Sequence, residues 1–127
     1  MSSFDKSLVA ILSDLIAIPS PYPPGESVDI CAYAAKRLKA AGYQVETVTK
    51  TKKVDNVVAR LKAKNNGPSV VFNAHVDTVG VGERTNWNTD PFKAALKGGK
   101  VYGLGAGNCK GSMAVQLWLA EEIARRG

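Results

Sequence analysis

The chain has little of what marks secreted or membrane proteins. It has two cysteines, Cys31 and Cys109, far apart in 127 residues, which does not suggest a disulfide framework. No apolar run approaches the length of a membrane span, and the amino terminus has no basic flank followed by a long apolar core. We therefore expect a cytoplasmic protein with no membrane partner.

The positive charge is not accompanied by aromatic residues. The formal net charge is +6, and part of it comes from basic residues around the first two predicted strands. These are Lys50, Lys52, Lys53, Arg60, Lys62 and Lys64. Nucleic-acid binding favours aromatic side chains among the basic ones, and none occur in this stretch. The cluster indicates an exposed surface that protects a strand edge, and we expect no nucleic-acid partner. The charge is compatible with a small anionic substrate.

Apolar spacing predicts two helices before any strand. Residues with helical periodicity occupy positions 4–16 and end at a proline cluster, and a second stripe occupies positions 28–38 and ends at Gly42. We predict strands at residues 44–49, 56–61, 69–74 and 101–102, a turn at 65–68, and a last helix through Met113 and Leu117. Residues 70–72 are apolar without alternation, which is typical of a strand covered on both faces in an α/β protein. With 45% apolar residues and no internal repeat, the chain is predicted to form one modest domain.

The only histidine, His75, lies two positions before Asp77 at the end of this apolar run. Side chains at i and i+2 of a strand project from the same face, so the imidazole and the carboxylate can meet. A metal-bound imidazole usually donates its other ring N–H to a carboxylate, which fixes the tautomer. The pattern alone leaves two interpretations open: a metal ligand with its supporting acid, or a core histidine beside a turn-forming aspartate.

A glycine-rich segment at residues 98–114 runs from a turn, through a short strand, into a loop that opens a helix. Nucleotide binding would require glycine at Asn108 or Lys110, or Gly-Lys in place of Lys110-Gly111, so the register excludes both common phosphate-binding patterns. The glycines more simply permit restricted backbone near a site. Asn108 is also a favourable N-cap for the helix that follows. Because sites in open α/β sheets lie beyond the carboxyl ends of strands, we expect this loop and the His75 loop to border one crevice.

These motifs together resemble a known enzyme family. In order they are His75-Val-Asp-Thr-Val79, Trp87-Asn-Thr-Asp-Pro-Phe92, Gly99-Lys-Val-Tyr-Gly-Leu-Gly105 and Lys110-Gly111, with Ile18-Pro-Ser20 near the amino terminus. The set resembles the di-zinc amidohydrolases that include acetylornithine deacetylase, succinyl-diaminopimelate desuccinylase, glutamate carboxypeptidase and aminoacylase. The resemblance implies an α/β fold, a three-layer helix–sheet–helix catalytic domain of the zinc-exopeptidase type with a mixed sheet.

By this resemblance His75 is a zinc ligand, and Asp77 is the catalytic carboxylate that orients it. Asn108 stands where the family carries an aspartate that bridges two metal ions, so it is the second candidate metal ligand. An amide offers one neutral acceptor oxygen, whereas a bridging carboxylate supplies two anionic oxygens, and weaker metal binding is expected. Leu104 likewise stands where the family has an arginine, and the peptide bond between Asn108 and Cys109 is expected to be cis. Zinc is the implied metal, as one or two ions, with cobalt or manganese as alternatives.

The implied function is hydrolysis of the amide bond of an N-acyl amino acid or a short peptide with a free carboxylate. The family's acidic pair, which includes the general base, is expected beyond Gly127. Residues 1–127 are therefore interpreted as the amino-terminal part of the catalytic domain, without the lid or dimerisation domain and the carboxyl-terminal part, and we expect them to be inactive alone. A homodimer of the full-length form is left open.

Two other functions stay open. Loss of the bridging carboxylate at Asn108 fits a non-catalytic binding module that retains the fold. A thiol at a helix N-terminus can have its pKa lowered, so Cys109 with His75 as its base fits a thiol enzyme. Glu121 and Glu122 are interpreted as solvated positions facing arginines at the end of the last helix, and not as the family's acidic pair.

Overall fold

Three α-helices carry the core of the protein, in a computed structural model that describes residues 3–62 and 67–127. The helices are α1 (Ser3–Ala17), α2 (Val28–Ala40) and α3 (Gly111–Arg126). Within the described ranges, four short strands form two antiparallel hairpins: β1 (Gln44–Thr51) with β2 (Val54–Arg60), and β3 (Ala95–Lys97) with β4 (Lys100–Tyr102). A 3₁₀ turn lies at Arg84–Asn86 and a π-type turn at Ala106–Lys110. Lys64, part of the predicted turn at 65–68 and the side chain of Phe4 lie outside what the structure describes.

The helices pack around one apolar cluster. It includes Ile11 and Leu15 from α1, Ile30 and Ala34 from α2, and Met113 and Leu117 from α3. The two residues of each helix are four positions apart, about one helical turn, so they project from the same face. Burying a side chain such as Leu15 stabilises the fold by roughly 1.5–3 kcal/mol. All three predicted helices are confirmed, although the buried face of α2 is rotated, because Val28 is 42% exposed.

The helix ends follow from local sequence. α1 stops at Ala17, two residues before Pro19, because proline disfavours helical backbone in the residue that precedes it. α2 ends where Gly42 takes a positive φ of 94°, which confirms its predicted role after the helix. Both cysteines are free thiols, as expected, and Cys31 is buried in α2. In the described part of the chain, no helix combines the length and the apolar character that crossing a membrane requires.

The first hairpin confirms two predicted strands. Gln44 of β1 pairs with Arg60 of β2, and the antiparallel register continues to Thr49, after which it shifts before Thr51 pairs with Val54. Valines on both strands supply the β-branched side chains that suit a pleated, half-buried surface. The described basic residues of this region are exposed, as predicted from their pattern. Two of them form surface ion pairs: Lys53 with Glu26 at 2.7 Å and Arg60 with Glu46 at 3.7 Å.

The strand predicted at residues 69–74 is not formed. This segment has no regular secondary structure, and Val70 and Val71 are 74% and 85% exposed. The prediction was wrong for this segment. An apolar run shows only that the residues are suited to burial, whereas a strand also needs neighbouring strands with which to form hydrogen bonds. Neither of the two hairpins of the described structure includes it. The parallel contact nearby is a single bridge between Pro21 and Thr78.

The second hairpin leads into the glycine loop. Gly98 and Gly99 form its turn with φ values of 58° and 73°, and β4 contains the predicted strand at 101–102. Its partner β3 was not predicted, since three residues carry too little periodicity to mark a strand. Leu104 follows β4 and is 5% exposed, so the residue that replaces the family's arginine is part of the core.

Candidate metal site

His75 lies on the surface with both ring nitrogens next to oxygen atoms. Its Nδ1 is 3.0 Å from the backbone carbonyl oxygen of Asp77 and 3.3 Å from the Asp77 carboxylate. Its Nε2 is 2.8 Å from Oδ1 of Asn108. The side chains of His75 and Asp77 are 47% and 50% exposed, so the site is open to solvent. The predicted meeting of imidazole and carboxylate therefore occurs, although on irregular backbone and not on a strand.

Asn108 comes to His75 because of its backbone conformation. It interrupts the π-type turn with φ −135° and ψ 101°, and the peptide bond to Cys109 is cis, as the resemblance implied. Its side chain does not cap α3: the residue before that helix is Lys110, and no side-chain cap hydrogen bond is formed there. The interpretation of Asn108 as an N-cap is therefore wrong. The two loops approach to hydrogen-bonding distance, as expected, and a crevice between them stays a prediction.

The two oxygen neighbours determine the protonation of the imidazole. A neutral imidazole has one donor nitrogen and one acceptor nitrogen, whereas the imidazolium donates from both. Because each ring nitrogen of His75 faces an oxygen acceptor, the doubly protonated imidazolium is favoured. The hydrogen bond to Asn108 is the largest cause that raises the pKa of His75 above its ordinary value, and the charge of Asp77 acts in the same direction.

The donor set suits a divalent metal in part. Because Nδ1 faces Asp77, the lone pair of Nε2 is the one directed toward Asn108 and available to a metal. Two ligands of a tetrahedral zinc ion at bonding distance are about 3.4 Å apart, so the pair at His75 and Asn108 needs to open by about half an ångström to admit one. Among the described residues, no group of three or more His, Cys, Asp or Glu side chains could hold a metal. These residues fit one side of a metal site and do not complete it.

Close packing holds the two loops together behind the site. Gly105 has φ 77°, and a Cβ at this position would lie 2.6 Å from the Thr78 methyl carbon. Only glycine satisfies both the positive φ and this approach, which confirms the predicted reason for the glycine-rich loop. The aliphatic stem of Lys110 borders the same point. Thr78 follows Asp77 directly, so this contact joins the His75 loop to the Asn108 loop.

Lys110 is a residue whose importance the sequence did not reveal. It is 1% exposed, and its ammonium group donates a hydrogen bond of 2.7 Å to the carbonyl oxygen of Ile18. Burial lowers the pKa of Lys110 to about 8. The Lys-Gly motif marked the position, but a lysine in a sequence is expected to be exposed. Its burial follows from the fold around Ile18, which the motif does not specify.

Other candidate residues lie away from this pair. Glu122 pairs with Arg125 at 2.5 Å, as predicted, but Glu121, whose side chain is 30% exposed, does not face the arginines at the end of its helix. Its carboxylate instead accepts two hydrogen bonds from Arg37 of α2, at 2.7 and 2.9 Å. The helical surface clefts bordered by Arg37 and Glu121 are not lined by His75. The structure gives no contact between the sulfur of Cys109 and His75, both of which lie in its described part.

Comparison with known proteins finds a matching family and similar sequences. Residues 71–127 match peptidase family M20/M25/M40. The chain is 40% identical over 119 residues to a succinyl-diaminopimelate desuccinylase of Bordetella petrii, covering 94% of this chain and 30% of that protein. It is 36% identical over 120 residues to the same enzyme of Xanthobacter autotrophicus, covering 92% of this chain and 31% of that protein. The chain thus spans less than a third of the length of these curated relatives.

A solved structure supports the fold. Human carnosine dipeptidase 1 superposes with a TM-score of 0.80 at 23% identity, over 94% of this chain and 28% of that one. The α/β fold class and the family resemblance drawn from the sequence are therefore confirmed. The roles of His75, Asp77 and Asn108 stay predictions, and the geometry above places these three together.

Proposed function

We propose that this chain is part of a metal-dependent hydrolase that cleaves an amide bond, because residues 71–127 match peptidase family M20/M25/M40. Relatives at 36–40% identity are named as desuccinylases, which supports an N-acyl amino acid as the substrate. A short peptide with a free carboxylate is the other substrate of this class that we propose. The observation that carries the proposal is the approach of His75 Nε2 to Asn108 Oδ1 at 2.8 Å, with Asp77 on the opposite ring nitrogen.

In this proposal His75 would hold a zinc ion through Nε2, and cobalt or manganese would be alternatives. Asp77 accepts a hydrogen bond from the Nδ1 N–H, which fixes the orientation of the ring and raises its basicity as a ligand. Asn108 would contribute its neutral amide oxygen at the position of the family's bridging aspartate. A bound divalent metal lowers the pKa of water toward neutrality and polarises a substrate carbonyl. The general base and the remaining ligands are not supplied by these three residues, so we propose that residues 1–127 alone are inactive.

The surroundings of the site are compatible with this substrate class. The net charge of +6 favours the approach of an anionic molecule. The site is exposed on the His75 side, so a small molecule can reach it without movement of the described helices. We propose no nucleic-acid or membrane partner and a cytoplasmic location, and a homodimer of the longer form is left open.

One specific observation favours a second function. Asn108 cannot supply the anionic oxygens that hold two divalent ions close together, so a non-catalytic module that binds the substrate class without hydrolysing it is the alternative. The thiol-enzyme hypothesis has less support, because both nitrogens of His75 face Asp77 and Asn108 and none faces Cys109.

The test uses the natural gene product that contains this chain. The protein is stripped with a chelator, reloaded with zinc, and assayed for hydrolysis of N-succinyl and N-acetyl amino acids. We expect activity that depends on added metal and is lost in His75→Gln, while the exposed control Lys36→Met retains it. Metal binding without hydrolysis would favour the binding module, and activity that survives both the chelator and His75→Gln would contradict the proposal.

A further inference from the structure

The segment that follows α1 is bonded to the His75 loop. The hydroxyl of Ser20 donates a hydrogen bond of 2.7 Å to the carbonyl oxygen of Val76, the residue between the candidate ligand and its supporting acid. The backbone N–H of Thr78 donates to the carbonyl of Ser20 at 2.8 Å, and the N–H of Tyr22 donates to the carbonyl of Thr78 at 2.8 Å. Ser20 is 1% exposed, so this connection is shielded from water.

The same segment is bonded to the Asn108 loop through Lys110. The ammonium group of Lys110 reaches the carbonyl oxygen of Ile18 at 2.7 Å, and its own backbone N–H donates to Gly105 at 3.0 Å. Lys110 is two positions after Asn108. The segment at residues 18–22 therefore contacts both candidate loops, and it contacts each of them through a buried polar side chain.

A buried ammonium group is a costly way to fill this space. It has three N–H donors, and the described residues give it the Ile18 carbonyl as its hydrogen-bond acceptor. A methionine of similar length would fill the same volume without the desolvation cost. What the lysine adds is a directional bond to a fixed carbonyl, which sets the position of the backbone that carries Asn108.

We propose that Lys110 and Ser20 are positioning residues, which hold the segment at residues 18–22 between the two loops and so set the approach of His75 to Asn108. This inference deepens the proposed function and rests on it for its metal-binding consequence. The metal-free geometry of the His75 ring is a separate consequence that does not depend on a metal.

The experiment exploits the single histidine of the chain. Residues 1–127 are labelled with ¹⁵N at histidine, and the two ring-nitrogen signals are recorded without metal for the wild type, Lys110→Met, Ser20→Ala and the exposed control Lys36→Met. Zinc affinity is then measured by calorimetry, and urea unfolding gives the stability of each form. We expect the Nε2 signal to change in Lys110→Met and Ser20→Ala, and zinc affinity to fall about 10–100-fold, as for other groups that orient metal ligands.

Stability separates positioning from a merely structural role. We expect Lys110→Met to unfold at an equal or higher urea concentration than the wild type, while its Nε2 signal and zinc affinity change. Unchanged ring signals and zinc affinity in a folded Lys110→Met would overturn the inference. If Lys110→Met does not fold, Ser20→Ala decides by the same criteria. If the wild type itself binds no measurable zinc, the metal-free ring signals alone decide whether the two residues position His75, and the proposed function is decided separately by the assay of the natural gene product.

Discussion

Replacing Asn108 by aspartate introduces the carboxylate that the family resemblance predicts at this position. In the absence of metal the new carboxylate lies next to His75 Nε2, which is 2.8 Å from the present amide oxygen. Two opposite unit charges at this separation attract by about 1.5 kcal/mol at the dielectric constant of water. Water is the appropriate medium because the His75 side chain is 47% exposed. Exposed ion pairs usually yield less, so we expect roughly 1 kcal/mol of added stability at low salt.

The gain depends on pH with a definite sign. The pKa of His75 is raised in the folded protein above its ordinary value of 6.5, first by Asn108, and a carboxylate raises it further. While the new carboxylate is ionised, the stabilisation is therefore complete below the ordinary pKa of His75 and is lost as the pH rises through its folded-state pKa. Urea unfolding of Asn108→Asp and the wild type, followed by tryptophan fluorescence near pH 5.5 and pH 9, measures both limits.

A matched variant separates this contact from the change in net charge. Asn56→Asp introduces the same charge at an exposed position of β2, where no contact with His75 is found in the described structure. We expect Asn56→Asp to show no comparable gain at low pH. If Asn108→Asp is no more stabilised at pH 5.5 than Asn56→Asp, the approach of residue 108 to His75 is not present in solution. The carboxylate is also expected to raise zinc affinity about tenfold or more, which corresponds to about 1.4 kcal/mol.

Three further predictions test the packing around the site. Gly105→Ala is expected to destabilise the protein more than Gly99→Ala, because both have a positive φ but only the first adds a Cβ within 2.6 Å of another side chain; equal urea midpoints would contradict the close packing. Glu121→Gln is expected to cost about 1 kcal/mol through its bonds across two helices, and more than Glu122→Gln in the same assay. The wild type should lose stability relative to Tyr33→Phe as the pH rises from 10 to 12. Burial raises the pKa of Tyr33 from 10.0 to about 12, so the tyrosine ionises in the unfolded chain before it ionises in the folded protein. A constant difference in free energy of unfolding would refute this.

Local patterns predicted the elements that are determined locally. The i, i+4 spacing of Ile11 and Leu15 identified the first helix, and the strands predicted at 44–49 and 56–61 correspond to the two that pair in the first hairpin. Gly42 marked the end of α2 because glycine adopts the positive φ that follows a helix more readily than other residues do. The absence of a strand at residues 69–74 could not be predicted in this way, since strand formation depends on neighbouring strands that the segment does not specify.

The sequence predicted which residues form the candidate site better than it predicted how they are arranged. The His-x-Asp spacing and the family's motifs identified His75, Asp77 and Asn108, and the structure brings all three together. The capping alternative for Asn108 was equally reasonable from sequence, because it depends on where the helix begins, and α3 begins at Gly111. The burial of Lys110 depends on residues 92 positions away, which no local pattern contains.

The most direct test of the central claim is to add zinc to the ¹⁵N-histidine-labelled chain and follow its one imidazole by NMR. We expect the Nε2 signal to move on binding, while Nδ1 stays protonated and keeps its hydrogen bond to Asp77. Binding through Nδ1, or unchanged signals up to about 1 mM zinc, where a site with a Kd of about 1 mM would be half occupied, would contradict the claim that His75 and Asn108 form one side of a metal site.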